Sequence, residues 1–381
     1  MIPDIPKKIL FLRSNPVAPD PRVEKEVDAL VSAGYSVSIL CWDRTAQFPQ
    51  FEEINGVSLV RLPIRAKYGT GIQNLPALLR WQWGSLKWLI QHREEFDIIH
   101  ACDFDTAIPA MLLKWVWGKK VVYDIFDFYA DHLRSTPGWI KSIIRFVDKW
   151  VISKVDAVIL ADDSRWEQIS GSSPKRSAVI YNSPADISDS RLYASTTDSD
   201  HHLKLVYVGL LQVERGLFEL LEVLTHHPAW SLDLAGYGGD EAKIISIAEK
   251  IPNVTWHGRV SYQQAMALSA AADILFATYD PAIPNHRYSS PNKVFEAMMF
   301  GKPIIVARAT NMDKIIERHS CGIVIEYGNI AQLEDALDQL EVSPELRDQM
   351  GRNARQAYEE HYQWSKMSAR LIALYKSILE T

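Results

Sequence analysis

The sequence predicts an α/β protein built from two doubly wound parallel sheets. Three observations carry that expectation. Short apolar runs, read as buried strands, alternate with amphipathic runs along most of the chain. A length of 381 residues is enough for two domains with full cores. The stretch SSPNKVFEAMMFGKPIIV, Ser289 to Val306, reads as loop, helix, turn and strand in close succession. Ser290 is the expected N-cap, and Pro291 suits a first helical position, where a missing N–H costs nothing. Val294, Phe295, Ala297 and Met298 give a packing side. Gly301 stops the helix, and Ile304 to Val306 begin a buried strand.

The first half opens with KILFLR, Lys8 to Arg13, a strand. The loop SNPVAPDP follows, and Asp20 and Pro21 open a helix with Val23, Val27, Leu30 and Val31 on one face. Gly34 ends it before the strand Tyr35 to Cys41. This β-loop-α-β unit begins a doubly wound sheet, whose ligands bind at the carboxyl ends of the strands. Val57 to Leu62 is another strand. Residues 66 to 95 carry a glycine-containing loop (Gly69, Gly71) and a Trp-rich helix. The strand Asp97 to His100 runs into HACDFDTAIPA, and the strand Lys119 to Tyr123 into DIFDFYADH. Loop aspartates Asp103 and Asp127 either cap helices or hold a ligand hydroxyl.

PGWIKSIIRFVDKWVISK, Pro137 to Lys154, is an amphipathic basic helix. Trp139, Ile143, Phe146, Val147 and Trp150 recur at helical spacing, with Lys141, Arg145, Lys149 and Lys154 between them. Either this apolar face packs on its own sheet, leaving the basic face solvated, or it touches a membrane. Val155 to Ala161 is the next strand, and Ser188 to His202 reads as a polar linker.

The second half opens with the strand Lys204 to Val208, then GLLQVERGLFELLEVL. Gly209 allows close backbone approach, and Gly216 precedes a helix. Leu232 to Ala235 is a strand followed by Gly236-Tyr237-Gly238-Gly239. Val254 to Gly258 and Asp273 to Ala277 are further strands, the latter leading into TYDPAIPNHRYSSPNK. The N–H groups and positive dipole end of the helix at Pro291 suit a phosphate. Asn292 and Lys293 add donors, and Glu296, one turn deeper, could accept both hydroxyls of a ribose. The same residues would also serve an ordinary capped helix.

Composition narrows the function classes. Hydrophobic residues make up 47% and charged residues 23%, ordinary for a soluble protein. A net charge of −6 argues against a nucleic-acid binder. Cys41, Cys102 and Cys321 lie far apart, without metal spacing, and suggest a reducing compartment. The polar N-terminus enters a strand at Lys8, so no signal peptide is expected. No apolar run approaches the roughly 20 residues needed to span a bilayer. A cytoplasmic protein is expected, with the inner face of the membrane as a candidate station.

PNKVFEAMMFGKPIIV resembles the signature of retaining GT-B glycosyltransferases of the GT4 type, whose second glutamate matches Glu296. DPRVEKEVDAL, near the start, resembles the usual continuation of that family's acceptor loop. The resemblance implies two Rossmann-like domains facing each other across a cleft. Their expected limits are residues 1–187 for the acceptor side, 188–203 for the linker and 204–363 for the donor domain, with a last helix, 364–381, crossing back to the first. It implies transfer of a sugar from a nucleoside-diphosphate sugar to a glycan or lipid-linked acceptor, without cofactor or metal. Donor contacts would be Gly209, Arg215, Gly236, Gly238, Arg259, Asn292, Lys293 and Glu296. Arg22 and His100 would lie on the acceptor side, with Asp103, Asp127 and Glu296 as the residues at the reacting centre.

The chain departs from the family pattern at several places. Cys102 and Phe126 stand where histidines are common, and Asp127 where a glutamate is. Leu210 replaces an arginine, and Arg215 stands for a lysine. Tyr288 takes the place of the motif's first glutamate, for which His286 or Asp280 could compensate. Two rival functions follow: a nucleotide-sugar epimerase, and a silent subunit that binds a partner transferase.

Overall fold

A computed structural model describes residues 7–66, 74–133, 136–188 and 203–380. The expected loop glycines Gly69 and Gly71, and nearly all of the expected linker, lie outside the described residues. The chain forms two compact units. One comprises Met1–Tyr181 with Met367–Thr381, and the other Asn182–Lys366.

The sheet of the first unit holds β1 (Lys8–Arg13), β2 (Ser36–Asp43), β3 (Phe51–Ile54), β4 (Val57–Pro63), β5 (Ile98–Cys102), β6 (Lys120–Ile125), β7 (Ala157–Leu160) and β8 (Ser177–Val179). Their spatial order is β3-β4-β2-β1-β5-β6-β7-β8. All pairs are parallel except β3 with β4. Asn55 and Gly56, both at positive φ, make the two-residue turn between those strands, as a type I′ hairpin requires. β3 was not expected, because its four residues, FEEI, are all exposed and do not alternate apolar with polar. Strand order reverses between β1 and β5, and the loops from their carboxyl ends part there.

The second unit holds β9 (Lys204–Leu210), β10 (Ser231–Tyr237), β11 (Val254–Trp256), β12 (Ile274–Ala277), β13 (Ile304–Ala307) and β14 (Gly322–Ile325). All its pairs are parallel, in the order β11-β10-β9-β12-β13-β14. This is the doubly wound order, with its switch point between β9 and β12. Near-continuous apolar strands such as IIVA bury both faces of the sheet under helices.

Three expectations need correction. The first domain ends at Tyr181 rather than 187, because Pro184 and Asp186 belong with the second unit. The Pro184 carbonyl accepts from Tyr358 Oη at 2.9 Å, and Asp186 pairs with Arg355 at 2.6 Å. The residue capping helix Asn292–Phe300 is Pro291, in extended conformation, not Ser290. In helix Gly138–Ile152, Val151 and Ile152 enter the core, and Ile144 and Val147 pack against it. Trp139, Ile143, Phe146 and Trp150 instead face outward. Among the described residues no helix is long and apolar enough to cross a membrane.

Candidate donor site and the buried network of the first unit

The switch point of the second unit gathers several of the expected residues. β9 ends at Gly209 and Leu210, and the chain passes through a short turn, Val213–Arg215, before helix Leu217–His226. Gly216 takes φ +65° at that helix start, and a Cβ there would lie 2.0 Å from Thr278 Oγ1. After β12 the loop Thr278–Ser290 lies against the same turn. Thr278 Oγ1 donates to the Arg215 carbonyl at 3.2 Å, and the Asp280 N–H donates to the Glu214 carbonyl at 3.0 Å. Tyr327 Oη donates to the Val213 carbonyl at 3.1 Å. So the backbone beside Arg215 is held from two sides.

Two cations meet two tyrosines at this point. The Arg215 guanidinium lies 3.9 Å from the ring centre of Tyr279. Lys293 Nζ, in the first turn of helix Asn292–Phe300, lies 4.4 Å from the Tyr207 ring and 5.9 Å from that of Tyr279. Tyr207 is fixed by donating from its hydroxyl to the Leu210 carbonyl at 2.6 Å. Burial pulls the Lys293 ammonium down, but Tyr207, Tyr279 and, more weakly, Glu296 outweigh it. Lys293 titrates above an ordinary lysine and stays charged at neutral pH. Among the described residues neither cation has a carboxylate within ion-pair distance. Arg215 Nε and Nη1 are buried and have no hydrogen-bond partner among those residues, nor has the buried Ser290 Oγ just before the helix. Buried charged donors left unpaired are costly, and an anion at this point would supply the missing acceptors.

The glycines explain the close spacing. A Cβ on Gly209 would lie 2.5 Å from Lys293 Nζ. One on Gly236 would lie 1.8 Å from the Gly209 carbonyl oxygen, and one on Gly238 2.3 Å from the Leu211 oxygen. Gly209 therefore opens space for the lysine, while Gly236 and Gly238 let the ends of β9 and β10 meet. Arg259 is exposed and stacks 4.5 Å over Tyr237, beside Gly236, whose N–H donates to the Gly258 carbonyl. Asn292 and Glu296 both belong to helix Asn292–Phe300, Glu296 buried one turn after Asn292. No side chain caps that helix. His286 is buried, with Nδ1 donating to the Asp280 carbonyl at 2.9 Å. Tyr207 and Tyr279 were not among the expected residues. Tyr207 sits inside an apolar strand, and nothing in the spacing separates it from core.

The first unit treats its predicted residues differently. Arg22 and His100, expected on the acceptor side, are both buried. The Arg22 guanidinium donates to both Asp124 oxygens and to the Ile180 carbonyl, and pairs with Glu26 at 3.2 Å. His100 Nδ1 lies 2.7 Å from Tyr375 Oη. Burial, followed by the charge of Asp124, pushes Glu26 well above the usual carboxylate range. Burial opposes ionisation of Asp124 too, but Arg22 outweighs it and holds that group low. Burial also lowers His100, so it is neutral. Ligand atoms of Glu26, His100 and Asp124 lie within 4.8 Å of one another, as a metal set would, but Arg22 already supplies the positive charge there.

Asp103 holds a φ of +66°, sparsely populated for a residue with a Cβ. One carboxylate oxygen accepts from the N–H groups of Phe126 and Asp127, and the other from Arg13 at 2.6 Å. It neither caps its helix nor presents a free oxygen, and instead ties the loop after β6 to the end of β1. Phe126, which replaces a common histidine, lies under the guanidinium groups of Arg13 and Arg22 at 4.1 and 4.7 Å. Asp127 remains accessible, accepting from Arg165 at 3.1 Å while its side chain is 54% exposed.

Known families match both units. The model described as glycosyl transferases group 1 matches residues 194–357, and that of the glycosyl transferase 4-like domain matches residues 18–182. The chain is a GT4-type glycosyltransferase of the GT-B fold. Among curated relatives, the alpha-D-kanosaminyltransferase of Streptomyces kanamyceticus is 21% identical over 78% of this chain and 83% of its own. Further curated glycosyltransferases match over 45% of their own length. Sucrose-phosphate synthase from Thermosynechococcus elongatus superposes with a TM-score of 0.77 at 14% identity, covering 98% of this chain and 99% of that one. Anabaena HepE in complex with UDP-glucose gives 0.71 at 15% identity, covering 97% and 99%. At these identities the structural likeness carries the fold. In this GT4-type enzyme, Arg215 and Lys293 set two positive charges at one end of the candidate site.

Proposed function

We propose that this glycosyltransferase takes its sugar from a nucleoside-diphosphate sugar bound at the switch point of the second unit. The observation that carries the reading is the half-buried Arg215, two of whose donors are buried and unpaired, beside a charged Lys293 at an uncapped helix start. A diphosphate supplies the missing acceptors. Both cations are stronger partners for the departing nucleoside diphosphate than for the intact donor, because negative charge develops as the glycosidic bond breaks. Glu296 then holds the ribose one helical turn deeper. The UDP-glucose complex of Anabaena HepE supports the ligand class. Transfer proceeds with retention at the anomeric carbon, no protein nucleophile being required. The acceptor is a glycan or lipid-linked sugar, and the exposed Asp127 is our candidate to meet it.

The test uses UDP-, GDP- and ADP-sugars and the matching diphosphates. One donor should raise the melting temperature of the native protein. Glu296→Ala should abolish that shift, and Arg215→Ala and Lys293→Ala should each lower kcat/KM about 100-fold. If no nucleotide shifts the native protein near millimolar concentration, the donor reading is wrong and a silent subunit takes its place. Product formed without acceptor would instead indicate an epimerase.

A further inference from the structure

An apolar stripe lies on the outside of helix Gly138–Ile152. Trp139 is 68%, Ile143 54%, Phe146 74% and Trp150 40% exposed, at the spacing of one helical row. The core-facing row of the same helix is separate: Ile144 and Val147 pack on the core, and Val151 and Ile152 belong to it. So the stripe is a second apolar row, unused by the fold. It continues onto a neighbouring helix, Phe104–Trp117, whose Trp115 is 51% and Val116 63% exposed. Trp115 and Trp150 meet with ring centres 5.4 Å apart.

A third row of helix Gly138–Ile152 is basic. Lys141, Arg145 and Lys149 recur every four residues on a half-buried flank of the helix. Arg145 bonds Asp131 at 2.8 Å, and Lys149 donates to the Ser170 carbonyl at 2.6 Å, so both are anchored near the helix surface. The helix's one acidic residue, Asp148, is turned inward and bonded to Tyr123. A chain of net charge −6 thus carries a locally cationic helix beside its exposed tryptophans.

We propose that this face is a docking surface for an anionic lipid bilayer. Indole rings and aliphatic side chains enter the boundary between headgroups and acyl chains, while the basic row stays at headgroup level. A second copy of the chain is a poorer occupant. A two-fold contact centred on the stripe would place each basic row close to its counterpart. Docking does not rest on the donor-site reading, and its test contains no nucleotide.

The experiment is co-sedimentation of the full chain with vesicles of neutral phosphatidylcholine, or of the same lipid with a third phosphatidylglycerol. Binding is expected on the anionic vesicles, with a blue shift of tryptophan emission. Trp139→Ser with Phe146→Ser should weaken binding at least about 10-fold, since each removes apolar area from the bilayer. Raising the salt to about 0.5 M should weaken it several-fold by screening the basic row. The double variant should keep its melting temperature, both side chains being mostly outside the fold. If it does not fold, Lys141→Glu with Lys149→Glu replaces it, with the same expected loss. Absence of binding to anionic vesicles, equal binding to neutral ones, or binding unchanged in the variants would overturn the proposal. So would a concentration-dependent dimer that the same variants dissolve, combined with no vesicle binding, which would assign the face to a second copy.

Discussion

Asp148 shows how one buried group ties stability to pH. Its carboxyl is buried, bonded on one oxygen by the Tyr123 hydroxyl at 2.9 Å, with the other oxygen unpaired. Burial pushes it up to about 7 from an unfolded value of 3.8. The folded state therefore holds a proton that the unfolded state has lost across that interval. Stability attributable to this group is present below the lower value and declines as pH rises towards 7, by up to about 1.4 kcal/mol per pH unit. Asp148→Asn removes the titration. Melting curves should show the variant gaining on the native protein between pH 5 and pH 8. A constant difference across that range would mean that Asp148 is ionised in the fold. Its neighbours in the first unit show what sequence cannot reveal at this scale. Arg22 at a helix start reads as solvent-facing or acceptor-facing. It is buried instead, between Glu26 one helical turn on and Asp124, which is 102 residues away in sequence.

At the scale of the element, the carboxyl edge of the second sheet separates two kinds of glycine. Gly236, at φ +146°, abuts the backbone oxygen of Gly209, which cannot move without breaking the pairing of β9 with β10. Gly236→Ala should cost about 3 kcal/mol or more, read by denaturant unfolding. Gly209, at φ +158°, abuts the flexible end of Lys293. Gly209→Ala should lose less stability but more donor affinity, because the new methyl group displaces the ammonium. Equal effects of the two changes on stability and affinity would contradict this division. Both strand ends were legible in the sequence, since a glycine closing an apolar run marks a close approach. The helix at Pro291 was legible too, from its apolar periodicity and the closing Gly301. Its cap was not, because Ser290 and Pro291 both suit that place and the loop after β12 decides between them. The tyrosines that seat Arg215 and Lys293 were also hidden, one within a strand and the other just after one. Periodicity misled at helix Gly138–Ile152, which carries two apolar rows. The larger residues drew the eye to the outer row, while smaller branched residues made the buried one.

At the scale of the whole molecule, the chain leaves the first unit at Tyr181 and returns to it at Met367. The returning helix, Trp364–Leu379, buries Met367, Leu371, Leu374, Tyr375 and Ile378. Arg370 donates to the Val179 carbonyl at 3.0 Å, and Tyr375 meets His100. Burying each large apolar side chain contributes about 1.5–3 kcal/mol. Together such residues rival the 5–15 kcal/mol by which a typical domain is stable. A chain stopped after Lys366 should therefore keep a folded second unit and lose the first. Hydrogen exchange would show protection retained within residues 203–366 and lost within 8–180. Tyr375→Phe is the contrasting change, deleting one hydroxyl beside a neutral His100 for about 1 kcal/mol, with both units still protected. If truncation leaves β1 and β5 protected, the helix is dispensable and the first unit is complete without it. If protection is lost, the first unit cannot finish folding until helix Trp364–Leu379 is made. The residues of the first unit would then take their final positions only after the second unit has been synthesised.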